Sequence, residues 1–218
     1  MADKFRGGYD ACPLCGEFKY KHSTYCRKCR TKRNRPPIIE ETFTLDGEEC
    51  RYLPLTRGLY AIVNACKYAW CMQWAWHAFL GTQGVYYAAR KVLINGKSQY
   101  VFLHSVLTEG WEGGKYTDHR NGSTLDDRLS NLRRCNKRQN HWNCKVPVSN
   151  QLGRKGVTKG YVSVTGAQAY EVHIKDHGKS IYLGRDYDLD GATRLYDRAA
   201  IKYFGEFART NFHREEYE

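Results

Sequence analysis

Asp118, His119, Asn131 and Asn140 stand at offsets of 0, 1, 13 and 22 in a basic stretch that runs from Tyr116 to Asn140. Carboxylate and amide oxygens suit Mg²⁺ or Mn²⁺, and imidazole is the side chain that titrates nearest pH 7. Together they offer a hard oxygen site and a base for water, which is what metal-assisted phosphodiester hydrolysis needs. The bland alternative is a polar, turn-rich surface loop. The length of the pattern and the modules that flank it speak against that alternative.

A second set is sulfur chemistry. Cys12-Pro-Leu-Cys15 and Cys26-Arg-Lys-Cys29 are two C-x₂-C pairs with ten residues between Cys15 and Cys26. Two such knuckles close a tetrahedral Cys₄ site, the usual structural Zn²⁺ arrangement. Disulfides or a redox pair would need a different compartment or a βαβ context. About 35 residues cannot build an adequate core alone, so zinc is expected to supply the folding energy. The other five cysteines, Cys50, Cys66, Cys71, Cys135 and Cys144, read as reduced thiols, mostly buried as small apolar groups.

The elements that must position these residues read as an α+β chain of small modules. The 218 residues divide into a zinc-binding module and basic linker at 1–37, a nuclease-like region at 38–150, and a third module at 154–214. Pro36-Pro37 marks the first boundary, and Gly153 is a candidate hinge at the second. In the scaffold, 51–114, Leu59–Val63 reads as a buried strand, and Asn64 is expected to cap a helix through Cys66, Trp70 and Cys71. Asn95-Gly96 between two β-rich runs predicts a type I′ hairpin. A short helix is expected from Asn136 to Asn143. In the third module Asp176-His-Gly178 reads as a hairpin turn. Ala192, Leu195, Tyr196, Ala199, Ala200 and Tyr203 recur at helical spacing, with Asp188 or Asp190 as cap.

Charge is unevenly placed. The total is +12. Residues 1–37 carry +7, 38–114 carry −1, 115–150 carry +5, 154–214 carry +4 and the last four carry −3. A polyanion partner accounts for a basic excess that misses the scaffold better than general solubility does. No run of about 18 apolar residues exists, which excludes a transmembrane helix. Met1-Ala-Asp-Lys-Phe-Arg lacks an apolar signal core, so a cytoplasmic protein is expected.

Residues 118–143 resemble the HNH nuclease motif in the form carried by phage and bacterial homing endonucleases. Asp118-His119, Asn121-Gly122, Asp126-Asp127-Arg128, Asn131-Leu132-Arg133, Gln139-Asn140 and Asn143 carry the resemblance. The lead-in is similar too, through Leu55-Thr56-Arg57-Gly58, Ala61-Ile62-Val63, Trp74-Ala75-Trp76, Tyr87-Ala88-Ala89-Arg90 and Leu103-His104, with Ser105 where that family has Arg. The resemblance implies a ββα-metal core at 115–146. In it Asp118 and Asn140 would ligate Mg²⁺ or Mn²⁺, His119 would be general base, and Asn131 would bond the loop backbone and hold His119. Arg128, Arg133, Arg134, Lys137 and Arg138 would meet DNA phosphates, although Arg128 could instead bridge to Asp126 or Asp127. One such site cuts one strand at a time, so a double-strand break needs a homodimer or two nicks by a monomer.

Residues 155–212 resemble the AP2 DNA-binding domain. Lys155-Gly-Val157, Tyr170–Lys175, Tyr182-Leu-Gly184, Ala192 to Ala200 and Gly205 to Phe212 carry the match. The resemblance implies a three-stranded antiparallel sheet, packed on one helix, lying in the major groove of double-stranded DNA. Its candidate contacts are Lys155, Thr158, Tyr170, His173, Lys175, Ser180 and Tyr182. The expected function is therefore a metal-dependent, sequence-recognising DNA endonuclease. Its competitors are a non-catalytic DNA-binding regulator with the same fold and an RNA-acting zinc nuclease.

Overall fold

A computed structural model of the chain describes residues 9–11, 18–20, 35–82, 84–147 and 149–217. The zinc-ligand candidates Cys12, Cys15, Cys26 and Cys29 lie outside the described residues. The chain is mixed α+β, built from several small sheets and few helices. It forms two compact units that do not follow chain order. One is Met1–Glu109 with Ser123–Leu132, and the other is Gly110–Gly122 with Arg133–Glu218.

In the first unit, β1 (Tyr9–Ala11) pairs antiparallel with β2 (Phe18–Tyr20). Strands β3 (Phe43–Leu45), β4 (Glu48–Pro54) and β5 (Tyr60–Asn64) form an antiparallel sheet, and helix α1 (Ala65–Cys71) follows at once. A second antiparallel sheet holds β6 (His77–Leu80), β7 (Tyr86–Ile94) and β8 (Lys97–Phe102), and leads into α2 (Leu103–Leu107). Between β7 and β8, Asn95 and Gly96 have φ of 50° and 73°, the left-handed pair that a two-residue I′ turn requires.

The core gathers Leu53, Leu55, Val63, Tyr68, Trp76 and Leu103. Trp76 is fully buried, and its indole N–H donates to the Cys71 carbonyl at 2.8 Å, so the ring is buried with its polar atom satisfied. Asn64 does precede α1, but its side chain makes no cap bond. Its Nδ2 donates to Glu48, and its Oδ1 accepts from the Leu129 N–H at 2.8 Å. It therefore ties down the 123–131 segment instead of the helix end.

In the second unit, β9 (Tyr116–His119) pairs with β10 (Leu132–Cys135), and α3 (Lys137–Trp142) follows. Asn136 accepts from the N–H groups of Arg138 and Gln139, while Gln139 Oε1 accepts from the Asn136 N–H. This capping box satisfies backbone donors that six residues of helix cannot pair themselves. Strands β11 (Val157–Val162), β12 (Gln168–Asp176) and β13 (Lys179–Asp186) form an antiparallel sheet in sequence order, with α4 (Leu189–Phe204) against it. His177 and Gly178, at φ of 48° and 77°, make the β12–β13 turn. Asp188 caps α4 by accepting from the Gly191 N–H.

Val157, Val172 and Ile174 meet Ala192, Tyr196, Ala200 and Phe204 in the core of this unit. Gly156 lies beneath the Tyr196 ring, where a Cβ would overlap ring carbons. The ring packs there because that residue has no side chain.

Asp197, fully buried on α4, holds the segment that returns after the helix. Its carboxylate accepts from the Asn211 N–H and Nδ2, the Phe212 N–H and the Tyr217 hydroxyl, all at 2.8 to 3.0 Å. Asn211 in turn bonds the backbone of Lys155 on both sides, through Oδ1 to its N–H and through Nδ2 to its carbonyl. Among the described residues, no helix is long and apolar enough to cross a membrane.

Candidate nucleic-acid interface

The sheet of the second unit has one face on α4 and one in solvent. Alternation along each strand sorts the side chains. Val172 and Ile174 point to the helix, so their neighbours Glu171, His173 and Lys175 point away. Register sets His173 beside Tyr182, Lys175 beside Ser180, and Glu171 beside both Thr158 and Arg185. The outer face therefore presents Thr158, Glu171, His173, Lys175, Ser180, Tyr182 and Arg185, with the Glu171 carboxylate 3.7 Å from His173 Nε2. Tyr182 is 54% exposed, and its ring lies 5.3 Å from that of His173. The Arg185 guanidinium lies 5.2 Å from the centre of the Tyr161 ring, and the Tyr161 hydroxyl bonds that of Tyr187 at 2.7 Å.

Two residues expected on this face lie elsewhere. Tyr170 shares parity with Val172 and packs against the helix-side core. Lys155 is turned inward, with its Nζ donating to the carbonyls of Trp142 and Cys144. Burial lowers its pKa from 10.5 to about 8. It joins the end of α3 to the start of β11 and is not a base-reading side chain. A cleft of about 390 Å³ connects the two regions, with His141 and Trp142 on one side and Thr158, His173, Lys175 and Ser180 on the other.

The ββα element holds the other candidates. Asp118 and His119 end β9, and each is about 5% exposed. The Asp118 Oδ2 accepts from Arg133 Nε and Nη2 at 2.9 and 2.7 Å. Asn143 Nδ2 reaches both Asp118 oxygens at 3.0 Å and the His119 carbonyl at 2.8 Å. Asn143, at the C-cap of α3, is thus the helix residue that engages Asp118, while Asn140 is exposed on that helix.

Arg133, expected at a phosphate, is instead buried. Besides Asp118, it donates to the Glu206 carbonyl at 2.6 Å, and its guanidinium stacks 4.0 Å from the centre of the Phe207 ring. Cys135 on β10 is buried beside Asp118, and its thiol pKa is pushed up to about 11, chiefly by burial. Arg134 donates to the Thr117 hydroxyl, and Lys137 and Arg138 are exposed on the first turn of α3.

The loop between β9 and β10 contributes residues to the first unit. There the Asp127 N–H donates to the Ile62 carbonyl and the Ile62 N–H to the Leu125 carbonyl, each at 2.8 Å. Arg128, also expected at a phosphate, is 4% exposed. It makes a two-point pair with Asp126 at 2.9 Å, reaches Asp46 and donates to the Leu45 carbonyl. Bidentate carboxylate contact suits the planar guanidinium, and this bridge is the alternative reading open to Arg128. Asn131 Nδ2 donates to the Asp126 carbonyl at 2.7 Å, inside the loop. His104, at the start of α2, stacks against Phe102 with ring centroids 5.6 Å apart.

No family model matches the chain. Curated proteins show partial similarity, among them three from two plants and a phage. APETALA2-like protein 2 of Oryza sativa subsp. indica is 43% identical over 72 residues, 33% of this chain and 16% of that protein. The AP2-like ethylene-responsive transcription factor TOE2 of Arabidopsis thaliana is 42% identical over 72 residues, 33% of this chain and 14% of that protein. Protein 3.8 of Escherichia phage T7 is 40% identical over 63 residues, 25% of this chain and 52% of that protein. The chain thus spans about a sixth of the rice protein and about half of the phage protein. These similarities support an AP2-like domain in the chain. A three-stranded sheet on one helix is the architecture observed in its second unit.

Proposed function

We propose that the chain binds duplex DNA, with the outer face of the β11–β13 sheet in the major groove. One observation carries this reading: Thr158, His173, Lys175, Ser180, Tyr182 and Arg185 share one face of a single three-stranded sheet. Major-groove edges carry a donor and acceptor pattern that differs for every base pair, and these side chains supply complementary groups. The name of the Arabidopsis thaliana relative, an AP2-like ethylene-responsive transcription factor, supports the same reading. The test is selection of bound duplexes from a random pool, followed by competition with RNA. Failure to enrich any duplex, or equal competition by RNA, would sink it.

An endonuclease activity is the second reading, favoured by the ββα element that places Asp118 and His119 at one strand end beside α3. His119 would take the proton of a water attacking phosphorus. The phosphorus–O3′ bond would then break, O3′ taking a proton from solvent, to leave 5′-phosphate and 3′-hydroxyl ends. The divalent-ion assignment does not fit the arrangement of Asp118. Its carboxylate is buried, neutralised by Arg133 and bonded at both oxygens, so no step is derived through an ion here. That same observation favours a regulator that binds without cutting.

Supercoiled plasmid carrying a selected site, incubated with Mg²⁺ or Mn²⁺, separates the two. Nicking lost in His119→Ala establishes the nuclease, and tight binding without nicking in either metal leaves the regulator. The Cys₄ module is proposed as a structural zinc site. Purified chain should carry about one zinc per molecule, and a metal-free preparation would remove that proposal.

A further inference from the structure

The second unit has another cleft, of about 400 Å³, away from the outer face of the sheet. Arg120, Asn121, Arg133, Arg209, His213 and Arg214 contribute to its walls. Four of these six are arginines, and Glu206 is the one acid in the lining. Glu206 pairs with Arg120 at 2.9 Å with both side chains about half exposed, a contact that solvent weakens and that a stronger anion can replace.

Arg209 is the distinctive member. It makes a single long bond, 3.4 Å, to the Asn121 carbonyl. No carboxylate pairs with it among the described residues. The turn beneath it is shaped for it. The Gly122 N–H closes onto the His119 carbonyl at 2.8 Å, Gly122 has φ of +69°, and a Cβ there would collide with the Arg209 guanidinium. The motif glycine therefore does two things: it adopts the left-handed turn and it leaves room for an arginine from the far end of the chain. A planar guanidinium with free N–H donors, held on a turn beside a second arginine, matches the tetrahedral oxygens of a phosphate monoester or diester.

We infer that this cleft binds one phosphate of the DNA backbone, gripped by Arg209 and Arg120 against the turn that follows β9. The inference rests on the DNA-binding reading and extends it to a second anchor. The sheet reads bases, and the cleft fixes the strand beside the ββα element without reading sequence.

Two measurements test it. The first is DNA affinity across a salt series for the full chain and for Arg209→Ala and Arg209→Lys. Each phosphate contact contributes about 0.9 to the slope of log affinity against log salt. Arg209→Ala should lower that slope by about one such step and weaken binding alike for selected and random duplexes. The lysine variant should keep the slope and lose part of the affinity. An unchanged slope in Arg209→Ala, with wild type still selecting its site, overturns the cleft and leaves the sheet reading standing.

The second measurement needs no DNA. Amide signals of the full chain are followed during titration with inorganic phosphate. Shifts concentrated at residues 120–122 and 208–214, absent in Arg209→Ala, support the cleft even if no duplex is ever selected. Uniform or absent shifts overturn it.

Discussion

The sheets β6–β8 and β11–β13 share three antiparallel strands in sequence order, and they use their faces differently. On the first, rings cover one another: His77 lies 5.6 Å from Tyr100, Phe79 lies 4.8 Å from Tyr100 and 5.3 Å from Phe102, and Tyr87 lies 5.9 Å from Phe102. The second buries one face on α4 and leaves the other lined with hydroxyl, imidazole, amino and guanidinium groups and one carboxylate, Glu171. Identical topology thus gives a self-covering apolar surface in one place and a hydrogen-bonding surface in the other. The chemistry of a site lies in the side chains grafted on a fold, and not in the fold.

The largest way to break the comparison is to remove what organises each unit. Trp76→Ala empties the first core, and Asp197→Ala strips four groups on the C-terminal segment of their shared acceptor. Each should cost about 3–5 kcal/mol, read as a fall in denaturation midpoint. Hydrogen exchange should assign the loss to a different unit in each case. Loss in both units from either variant would show that the units do not fold separately.

A smaller effect follows from Lys155. Above about pH 8 the folded amine sheds its proton, while the unfolded one keeps it to about 10.5. The unfolded state then binds more protons, so stability of the second unit should rise with pH across that window. The rise is at most about 3 kcal/mol, and it should vanish in Lys155→Met. A fall over the same range would contradict the burial of that amine.

The smallest expected effect sharpens the functional contrast. Lys175→Ala and Tyr182→Ala should each cost about 1–3 kcal/mol of discrimination between selected and random duplexes. Tyr100→Ala, on the ring-covered sheet, should cost none. Equal losses from both sheets would end the distinction.

Local signals carried far in the sequence. Asn95-Gly96 and His177-Gly178 each fixed a hairpin, because left-handed φ is a property of the residues themselves. Of the two caps offered for α4, Asp188 is the one that bonds the helix end, and the short helix expected over 136–143 forms as α3. The expected Asn64 cap failed because Glu48 and Leu129 compete for its side chain. The same physics explains Arg128, Arg133 and Lys155. Arg128 was legible in part, since its bridge to Asp126 is local, while Asp46, 82 residues away, is not. Arg133 and Lys155 are buried by partners that no local pattern announces, the Glu206 carbonyl, 73 residues away, and the carbonyls at the end of α3.

Tyr170 was legible, since its parity with Val172 and Ile174 already placed it on the helix side. Asn143, Asp197, Arg185 and Arg209 gave weaker signals, and only the folded chain shows what they meet. The zinc pairs remain a reading of spacing alone.

The carboxylate that neutralises Arg133 comes from residue 118, before the loop that joins the other unit, while Arg133 itself comes after it. A recombination event or expression boundary placed at residue 133 would therefore carry away the arginine and leave its counter-charge behind. An AP2-like cassette that begins beyond α3 leaves out Asp118 and Arg133 together, but it also loses the Trp142 carbonyl that holds Lys155 and the ring that stacks on Phe204. A graft that begins between residues 123 and 133 imports Arg133 without Asp118, so the 110–122 segment has to travel with it.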